Sequence, residues 1–158
     1  IASGEPIVFD FMANHYGYHS DQTRMAILGE PHNQIKELYD KMVEFQTKLS
    51  QYLSSNYTWE QVYNYGLEIA QELQVSENYL GIPGNKVKFV GHGVGLELNE
   101  YPFLAPGLKS NLQPGMVIAL EPKLVVPELG GIGIENTYLV TEDKPEKLTT
   151  CSEELVIV

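Results

Sequence analysis

Hydrophobic and polar positions at the start of the chain predict a β-hairpin. Residues 6–13 are apolar and β-prone, which predicts a mostly buried strand. Residues 14–17 are typical of a turn, and residues 17–28 predict a second strand. Asp10 and Asp21 therefore lie on one predicted hairpin, each among apolar neighbours.

The middle of the chain has the periodicity of amphipathic helices. Apolar residues recur at helical spacing over residues 34–53, which predicts a first helix. Thr58 and Gln61 fit a capping box, because a threonine followed three residues later by glutamine can satisfy the free N–H groups of a helix start. A second helix is therefore predicted from Thr58 to about residue 73.

The last part of the chain returns to strand patterns. Short strands are predicted at residues 87–90 and 155–158, longer ones at 116–126 and 133–141, and an irregular loop at 100–115, where prolines and glycines are frequent. The order strand-strand, helix-helix, then several strands predicts an α+β fold with an antiparallel sheet.

Composition and charge exclude several classes of protein. The chain has 158 residues, 43% of them hydrophobic, which is enough for one globular domain, and it has no apolar run of membrane-spanning length. The formal net charge of −11 argues against nucleic-acid binding. A single cysteine, Cys151, excludes an internal disulfide and favours a reducing compartment, so we predict a cytoplasmic location.

Several acidic residues lie inside runs that predict buried strands, where a carboxylate costs free energy of folding. A buried carboxylate without a partner is strongly destabilising, and the chain offers few cationic side chains beside these acids. Four carboxylates and one imidazole form an oxygen-rich ligand set that suits Mn²⁺, Co²⁺, Fe²⁺ or Zn²⁺. We predict that two divalent ions bind Asp10, Asp21, His92, Glu121 and Glu135.

Four of these five residues also have a structural interpretation when taken alone. Asp10 fits a strand edge, Asp21 fits a cap, His92 between glycines fits a loop, and Glu121 before proline fits the end of a strand. The joint pattern is more specific than any single member.

The order and spacing of these motifs carry a resemblance to a known family. Together with Asp10, the motifs are GYHSDQTR (17–24), GHGVGLE (91–97), PGMV (114–117), EP (121–122) and IENT (134–137). The chain resembles the creatinase/methionine-aminopeptidase family of metallopeptidases, in particular its Xaa-Pro peptidases, aminopeptidase P and prolidase. The resemblance implies the pita-bread fold, a curved antiparallel sheet with helices on its outer face. It also implies peptide substrates and cleavage after an N-terminal residue, before proline.

The same resemblance implies roles for the ligands. Asp10 would bind the first metal, Asp21 and Glu135 would bridge both metals, and His92 and Glu121 would bind the second. A hydroxide held between the ions would attack the peptide, and Glu121 would transfer its proton. The other ring nitrogen of His92 would donate a hydrogen bond to an acceptor that the sequence does not identify.

Two positions depart from the pattern of many family members. Asn99 stands where many Xaa-Pro peptidases have a histidine that contacts the substrate carbonyl. Asparagine donates a hydrogen bond but cannot transfer a proton, so Asn99 is a candidate catalytic residue, with Glu121 and His92, that would hydrogen-bond the substrate carbonyl. Gly133 stands where prolidase-type members carry an arginine suited to a peptide C-terminal carboxylate, which weakens a strict dipeptidase interpretation.

The resemblance also implies that an N-terminal part of the fold precedes these residues. We therefore predict that residues 1–158 form the C-terminal portion of a pita-bread catalytic domain, a poor peptidase by itself, with an exposed sheet edge. Such an edge favours a homodimer or association with the missing half. Two alternatives to an Xaa-Pro peptidase stay open: a catalytically impaired pita-bread module that binds peptides or proteins, and a methionine aminopeptidase.

Overall fold

The computed structural model describes residues 1–158 and contains two helices and twelve strands. The helices are α1 (Asn33–Ser50) and α2 (Trp59–Glu72). The first six strands are β1 (Pro6–His15), β2 (Tyr18–Ile27), β3 (Gly81–Ile82), β4 (Asn85–Lys86), β5 (Gly91–Gly93) and β6 (Glu100–Phe103). The remaining strands are β7 (Val117–Leu120), β8 (Lys123–Val126), β9 (Gly130–Gly133), β10 (Asn136–Leu139), β11 (Glu146–Lys147) and β12 (Val156–Ile157). The predicted α+β class is confirmed.

Strands β1 and β2 form the predicted hairpin. The turn residues Tyr16 and Gly17 both have positive φ angles, 50° and 87°, as a two-residue turn that matches the twist of its strands requires. The hairpin register pairs Asp10 with Thr23 and places Asp21 opposite Met12. Because side chains alternate between the two faces of a strand, Asp10, Asp21 and Thr23 share one face.

The prediction that residues 6–13 are mostly buried is wrong. Strand β1 is the edge of a three-stranded sheet in the order β1-β2-β12, and its side chains are exposed from Val8 onward. Phe9 and Phe11 stack with ring centroids 5.8 Å apart on the uncovered side of this strand. The strand is apolar, but β9 covers only part of it, near Val8, and Phe9, Phe11 and Met12 stay 41–52% exposed. The apolar pattern therefore reports β-propensity here and not burial.

Both helices begin where capping side chains satisfy free backbone N–H groups. Thr58 caps α2 with the complete capping box predicted from Gln61, while His32 caps α1 through its Nδ1 atom. The buried side of each helix packs on the core-facing sides of the strands. The core includes Tyr39, Met42, Phe45 and Leu49 of α1, Val62 and Ile69 of α2, and Ile118, Leu120, Leu124 and Ile132 of the strands.

The larger sheet has the strand order β11-β10-β7-β5-β6, with antiparallel pairing throughout. Ile118 and Leu120 face the helices, so Ala119 faces the opposite side. His92 pairs with Ala119 across the β5–β7 ladder, and Thr137 pairs with it across the β7–β10 ladder. The sheet therefore presents His92 on the face turned away from the helices.

Several predicted strand boundaries are corrected. Residues 87–90 are not a strand, and the strand that follows contains His92 itself. The segment 116–126 is broken at Glu121 into β7 and β8. The predicted strand 133–141 begins only at Asn136, as β10, because Gly133 is the last residue of β9 and the break between β9 and β10 contains Glu135. Pro122 has no N–H to continue a ladder, which ends β7 just before it. The pairing is antiparallel except between β12 and β2, which run parallel.

Candidate metal centre

Three buried side chains from distant parts of the chain meet on one side of the sheets. Asp21 of β2, His92 of β5 and Glu135 of the segment between β9 and β10 offer ligand atoms that all lie within 4.8 Å of one another. The Nε2 atom of His92 is 3.8 Å from Asp21 Oδ2. Each of these residues is exposed by 5% or less, so these atoms face one another away from bulk water.

The glycines beside His92 allow its strand to lie between two close neighbours. A Cβ atom on Gly91 would lie 2.5 Å from the carbonyl oxygen of Ala119, and one on Gly93 would lie 2.5 Å from that of Tyr101. Any side chain at these positions would push β7 or β6 away. The glycines that flank His92 are therefore needed for the close strand pairing that buries the imidazole.

The acceptor that orients His92 belongs to its own strand. His92 Nδ1 lies 3.0 Å from the carbonyl oxygen of Gly93. A carbonyl only accepts, so Nδ1 donates a proton to it, and in the neutral imidazole the lone pair is then on Nε2, directed at the acids. This is the tautomer that a metal-binding imidazole needs.

Glu121 joins the cluster at the end of β7. Its Oε1 atom is 3.6 Å from His92 Nε2, while its Oε2 atom accepts a hydrogen bond from Lys123. The backbone N–H of Glu121 donates to the carbonyl of Val90 at 2.9 Å, which ties the residue to the segment just before β5. One carboxylate thus faces both the histidine and a lysine.

Asp10 completes the acidic set from the exposed edge strand. Asp10, Glu121 and Glu135 line one cavity of about 190 Å³, and the negative charge of Asp10 acts on Asp21. The five residues singled out from the sequence therefore border a common region of the molecule. Their assignment as metal ligands stays a prediction.

Two residues to which the sequence patterns gave no role, Thr23 and Arg24, hold Glu135 in place. Thr23 donates its hydroxyl to Glu135 Oε2 at 2.8 Å, and the backbones of these two residues exchange N–H···O bonds at 3.2 and 3.3 Å. Arg24 is buried and donates to the carbonyl of Glu135 at 2.7 Å. Both residues stand within the motif that contains Asp21, and that motif was the available signal.

Arg24 also connects Glu135 to the C-terminal residues Cys151 and Ser152. Its guanidinium donates to the carbonyls of Thr23, Cys151 and Ser152 and to the side-chain oxygen of Asn136. These bonds satisfy the buried charge with neutral acceptors, so Arg24 forms no ion pair with the acidic cluster.

The electrostatics of the cluster call for a cation. Burial and the charges of Asp21 and Glu121 raise the pKa of Glu135 to about 8, and burial and the charge of Asp10 raise the pKa of Asp21 to about 6. Asp21 Oδ1 is buried without any hydrogen-bond partner. An unpartnered buried carboxylate oxygen beside an imidazole lone pair is the arrangement that a divalent ion would satisfy, so the residues present fit a metal.

Asn99 lies outside this cluster. It is exposed in the bend that precedes β6 and makes no side-chain hydrogen bond. Aromatic rings are closer to the histidine: Phe89 and Phe103 lie with their centroids 6.3 and 6.5 Å from the imidazole. Phe89 and Phe103 therefore border one side of the site, and the predicted substrate contact of Asn99 stays a prediction.

Known proteins with similar sequences and structures were compared with the chain. An Xaa-Pro dipeptidase of Pyrococcus furiosus is 32% identical over 156 residues, which cover 99% of this chain and 43% of that protein. A crystal structure of an X-Pro aminopeptidase from Thermotoga maritima has a TM-score of 0.90 at 28% identity, covering 100% of this chain and 43% of the other. A prolidase structure from Pyrococcus horikoshii has a TM-score of 0.87 at 32% identity, with coverages of 99% and 43%.

These matches confirm the predicted pita-bread fold and the predicted resemblance. The chain spans less than half the length of the relatives it matches. The assignment of residues 1–158 to the C-terminal portion of a catalytic domain stays a prediction. The sequence model of metallopeptidase family M24 matches residues 1–142, which is most of the chain. Together with the acid and histidine cluster, this match shows that the chain belongs to metallopeptidase family M24.

Proposed function

We propose that this chain carries the metal centre of a peptidase that removes the N-terminal residue from peptides, at Xaa-Pro bonds. The observation that carries the proposal is the buried cluster of Asp21, His92 and Glu135, with its unpartnered Asp21 oxygen, in a chain of family M24. Relatives named Xaa-Pro dipeptidase and X-Pro aminopeptidase support the choice of bond.

The centre would hold two divalent ions, Mn²⁺, Co²⁺, Zn²⁺ or Fe²⁺. Asp10, Asp21, His92, Glu121 and Glu135 would hold them, and the ions would supply an activated water and a Lewis acid for the peptide carbonyl. The oxygen-rich donor set, which contains no cysteine, supports ions of this kind over a structural zinc.

The protein side chains have separable tasks in this proposal. Glu121 is only partly buried and lines the cavity, so it is placed to accept and return a proton from the substrate side. Thr23 and Arg24 hold Glu135 in position, and the Gly93 carbonyl sets the tautomer of His92. Phe89 and Phe103 border the site with apolar surface that suits a proline ring.

The alternative is a module that binds peptides without cleaving them. The preserved cluster favours the enzyme, because a binding module does not require buried acids to converge on a histidine. A methionine aminopeptidase is the second alternative, and the names of the similar proteins favour Xaa-Pro bonds over it.

A substrate comparison tests the proposal. The chain is joined to the predicted N-terminal part of its domain, loaded with Mn²⁺ and assayed with Ala-Pro, Ala-Pro-Gly, Met-Ala-Gly and Ala-Ala-Gly, and release of the first residue is measured by chromatography. We expect turnover of the proline peptides and its loss in Asp21→Asn and Glu135→Gln. Binding without turnover would support the module, and a preference for Met-Ala-Gly would support the methionine aminopeptidase.

We also propose that the uncovered side of β1 is a contact surface. Phe9 and Phe11 stack there, and the strand has no hydrogen-bonded neighbour on its outer edge. Such an edge pairs readily with another chain, which supports self-association or pairing with a further segment of the fold. Sedimentation of the chain and of Phe11→Lys tests this, because a lysine on the edge is expected to lower the association.

No helix of the structure is long and apolar enough to span a membrane. The predicted cytoplasmic location rests on the single cysteine and stays a prediction.

A further inference from the structure

Lys123 is the only cationic side chain that lines the cavity shared by Asp10, Glu121 and Glu135. It follows Pro122 at the start of β8, two residues after Glu121, and its side chain is 38% exposed. Its Nζ atom contacts Glu121 Oε2 and lies 5.8 Å from the centroid of the Phe89 ring. A flexible positive charge thus stands at the open side of the acidic cluster.

The neighbouring strand leaves room for this lysine. Lys123 pairs with Gly133 across the β8–β9 ladder, and a Cβ atom on Gly133 would lie 3.0 Å from Lys123 Cβ. A side chain at position 133 would therefore crowd the stem of Lys123. Glycine at this position lets the lysine side chain occupy the cavity without competition from the opposite strand.

The ammonium group of Lys123 has N–H donors that make no hydrogen bond to the protein. A lysine ammonium has three N–H donors, and Glu121 accepts the only side-chain hydrogen bond that Lys123 makes. The other Glu121 oxygen, Oε1, faces His92. A cation bound between Glu121 and His92 would draw negative charge from the carboxylate and weaken the ion pair between Glu121 and the Lys123 ammonium. The remaining donors have no partner in the protein and are available to an anionic group of a ligand.

We propose that Lys123 binds the C-terminal carboxylate of a dipeptide substrate and thereby sets a preference for dipeptides. The inference rests on the proposed peptidase function and deepens it. In a dipeptide, the carboxylate belongs to the residue just after the scissile bond, and consecutive Cα atoms are only about 3.8 Å apart. A cation that touches a side chain of the proposed metal centre lies within that short range.

The charge of the C-terminal group explains why a contact with Lys123 would favour dipeptides over longer peptides. A free carboxylate forms a charge-assisted bond with the ammonium, whereas a C-terminal amide offers only a neutral oxygen. In a longer peptide the group at this place is also a neutral peptide bond. Lys123 acts here as a specificity-determining residue and not as part of the reaction itself.

The test compares a carboxylate with its amide. The Mn²⁺-loaded protein is assayed with Ala-Pro and Ala-Pro-amide, as are Lys123→Met, Lys123→Arg and the control Lys109→Met, whose lysine is exposed and unpaired. We expect the wild type and the control to favour Ala-Pro in kcat/KM by roughly tenfold or more, since bonds to charged groups contribute about 1.5–3 kcal/mol. Lys123→Met should lose this preference, and Lys123→Arg should keep most of it.

A binding measurement keeps the test independent of turnover. The same four proteins, with folding checked by circular dichroism, are titrated by calorimetry with proline and prolinamide, which differ only in the carboxylate. If proline binds more tightly than prolinamide and Lys123→Met loses this difference, the role of Lys123 is supported even when no peptide is cleaved. Absence of cleavage would count against the proposed peptidase function, not against the role of Lys123. An unchanged preference in Lys123→Met, in either assay, overturns the role of Lys123 and leaves the peptidase proposal standing.

Discussion

The hydroxyl of Thr23 donates a hydrogen bond of 2.8 Å to Glu135 Oε2, across 112 residues of sequence. The two residues also exchange backbone hydrogen bonds, so Glu135 is held both by its main chain and by one side-chain oxygen. Its second oxygen stays free to face Asp21 and His92. This bond orients a buried carboxylate before any ligand binds.

Removing the hydroxyl of Thr23 should weaken metal binding without unfolding the protein. Thr23→Val keeps the shape of the side chain and leaves Glu135 Oε2 without its donor. We expect roughly a tenfold to hundredfold loss of Mn²⁺ affinity, the usual effect of losing a bond that orients a ligand. Calorimetric titration measures this, and Thr150→Val is the control because Thr150 is exposed and makes no side-chain hydrogen bond. An equal affinity in both variants would contradict the role of Thr23.

Divalent metal should raise the melting temperature of the protein. A ligand that binds only the folded state stabilises it, by about 2.7 kcal/mol at a free concentration one hundred times its Kd. Mn²⁺ or Co²⁺ should therefore shift the thermal transition upward, while Mg²⁺ should have a smaller effect on a site that contains an imidazole.

Asp21→Asn and Glu135→Gln should abolish that shift, because each removes a charge from the centre of the cluster. Melting curves with and without metal, with chelator as the reference, provide the measurement. A shift that survives in both variants would place the metal elsewhere on the protein.

Without metal, the stability should fall as the pH rises from about 4.5 to 8. The pKa of Glu135 is raised from 4.5 to about 8 in the folded chain, so the folded state holds a proton that the unfolded state has already lost. Over this range the free energy of unfolding decreases with pH, by at most about 1.4 kcal/mol per unit for one proton. The raised pKa of Asp21 adds the same decrease in stability between pH 3.8 and about pH 6.

Denaturant unfolding of the chelated protein at several pH values measures this slope. Glu135→Gln should flatten it and should be more stable than the wild type near pH 8. Metal should reverse the trend, because binding requires deprotonated carboxylates and strengthens as the pH rises. A chelated wild type whose stability increases between pH 5 and 8 would contradict the raised pKa.

Gly93→Ala should destabilise the strand that carries His92. The new Cβ would lie 2.5 Å from the carbonyl oxygen of Tyr101, so β5 and β6 would have to separate, at a cost of roughly 1–3 kcal/mol. Gly131→Ala is the matched control, since its Cβ would lie 3.9 Å from Val8, an ordinary contact. Chemical denaturation measures both, and equal stabilities would contradict the close-packing argument.

Local patterns in the sequence determined the helices, the first hairpin and the candidate ligands. Thr58 and Gln61 form the predicted capping box because a cap involves only neighbouring residues. The turn at Tyr16 and Gly17 likewise depends on backbone preferences of its own residues. Asp10, Asp21, His92, Glu121 and Glu135 were found through motifs whose order is a property of the chain alone.

Only the tertiary structure decided which surfaces are covered and which partners the polar groups find. The apolar strand β1 is exposed because it is a sheet edge that β9 covers only in part, which periodicity cannot report. The breaks at Glu121 and Glu135, the Gly93 acceptor for His92, and the positions of Thr23 and Lys123 beside the cluster follow from pairing between distant strands. Burial and long-range hydrogen bonds depend on the whole fold, whereas capping and turn chemistry depend on a few adjacent residues.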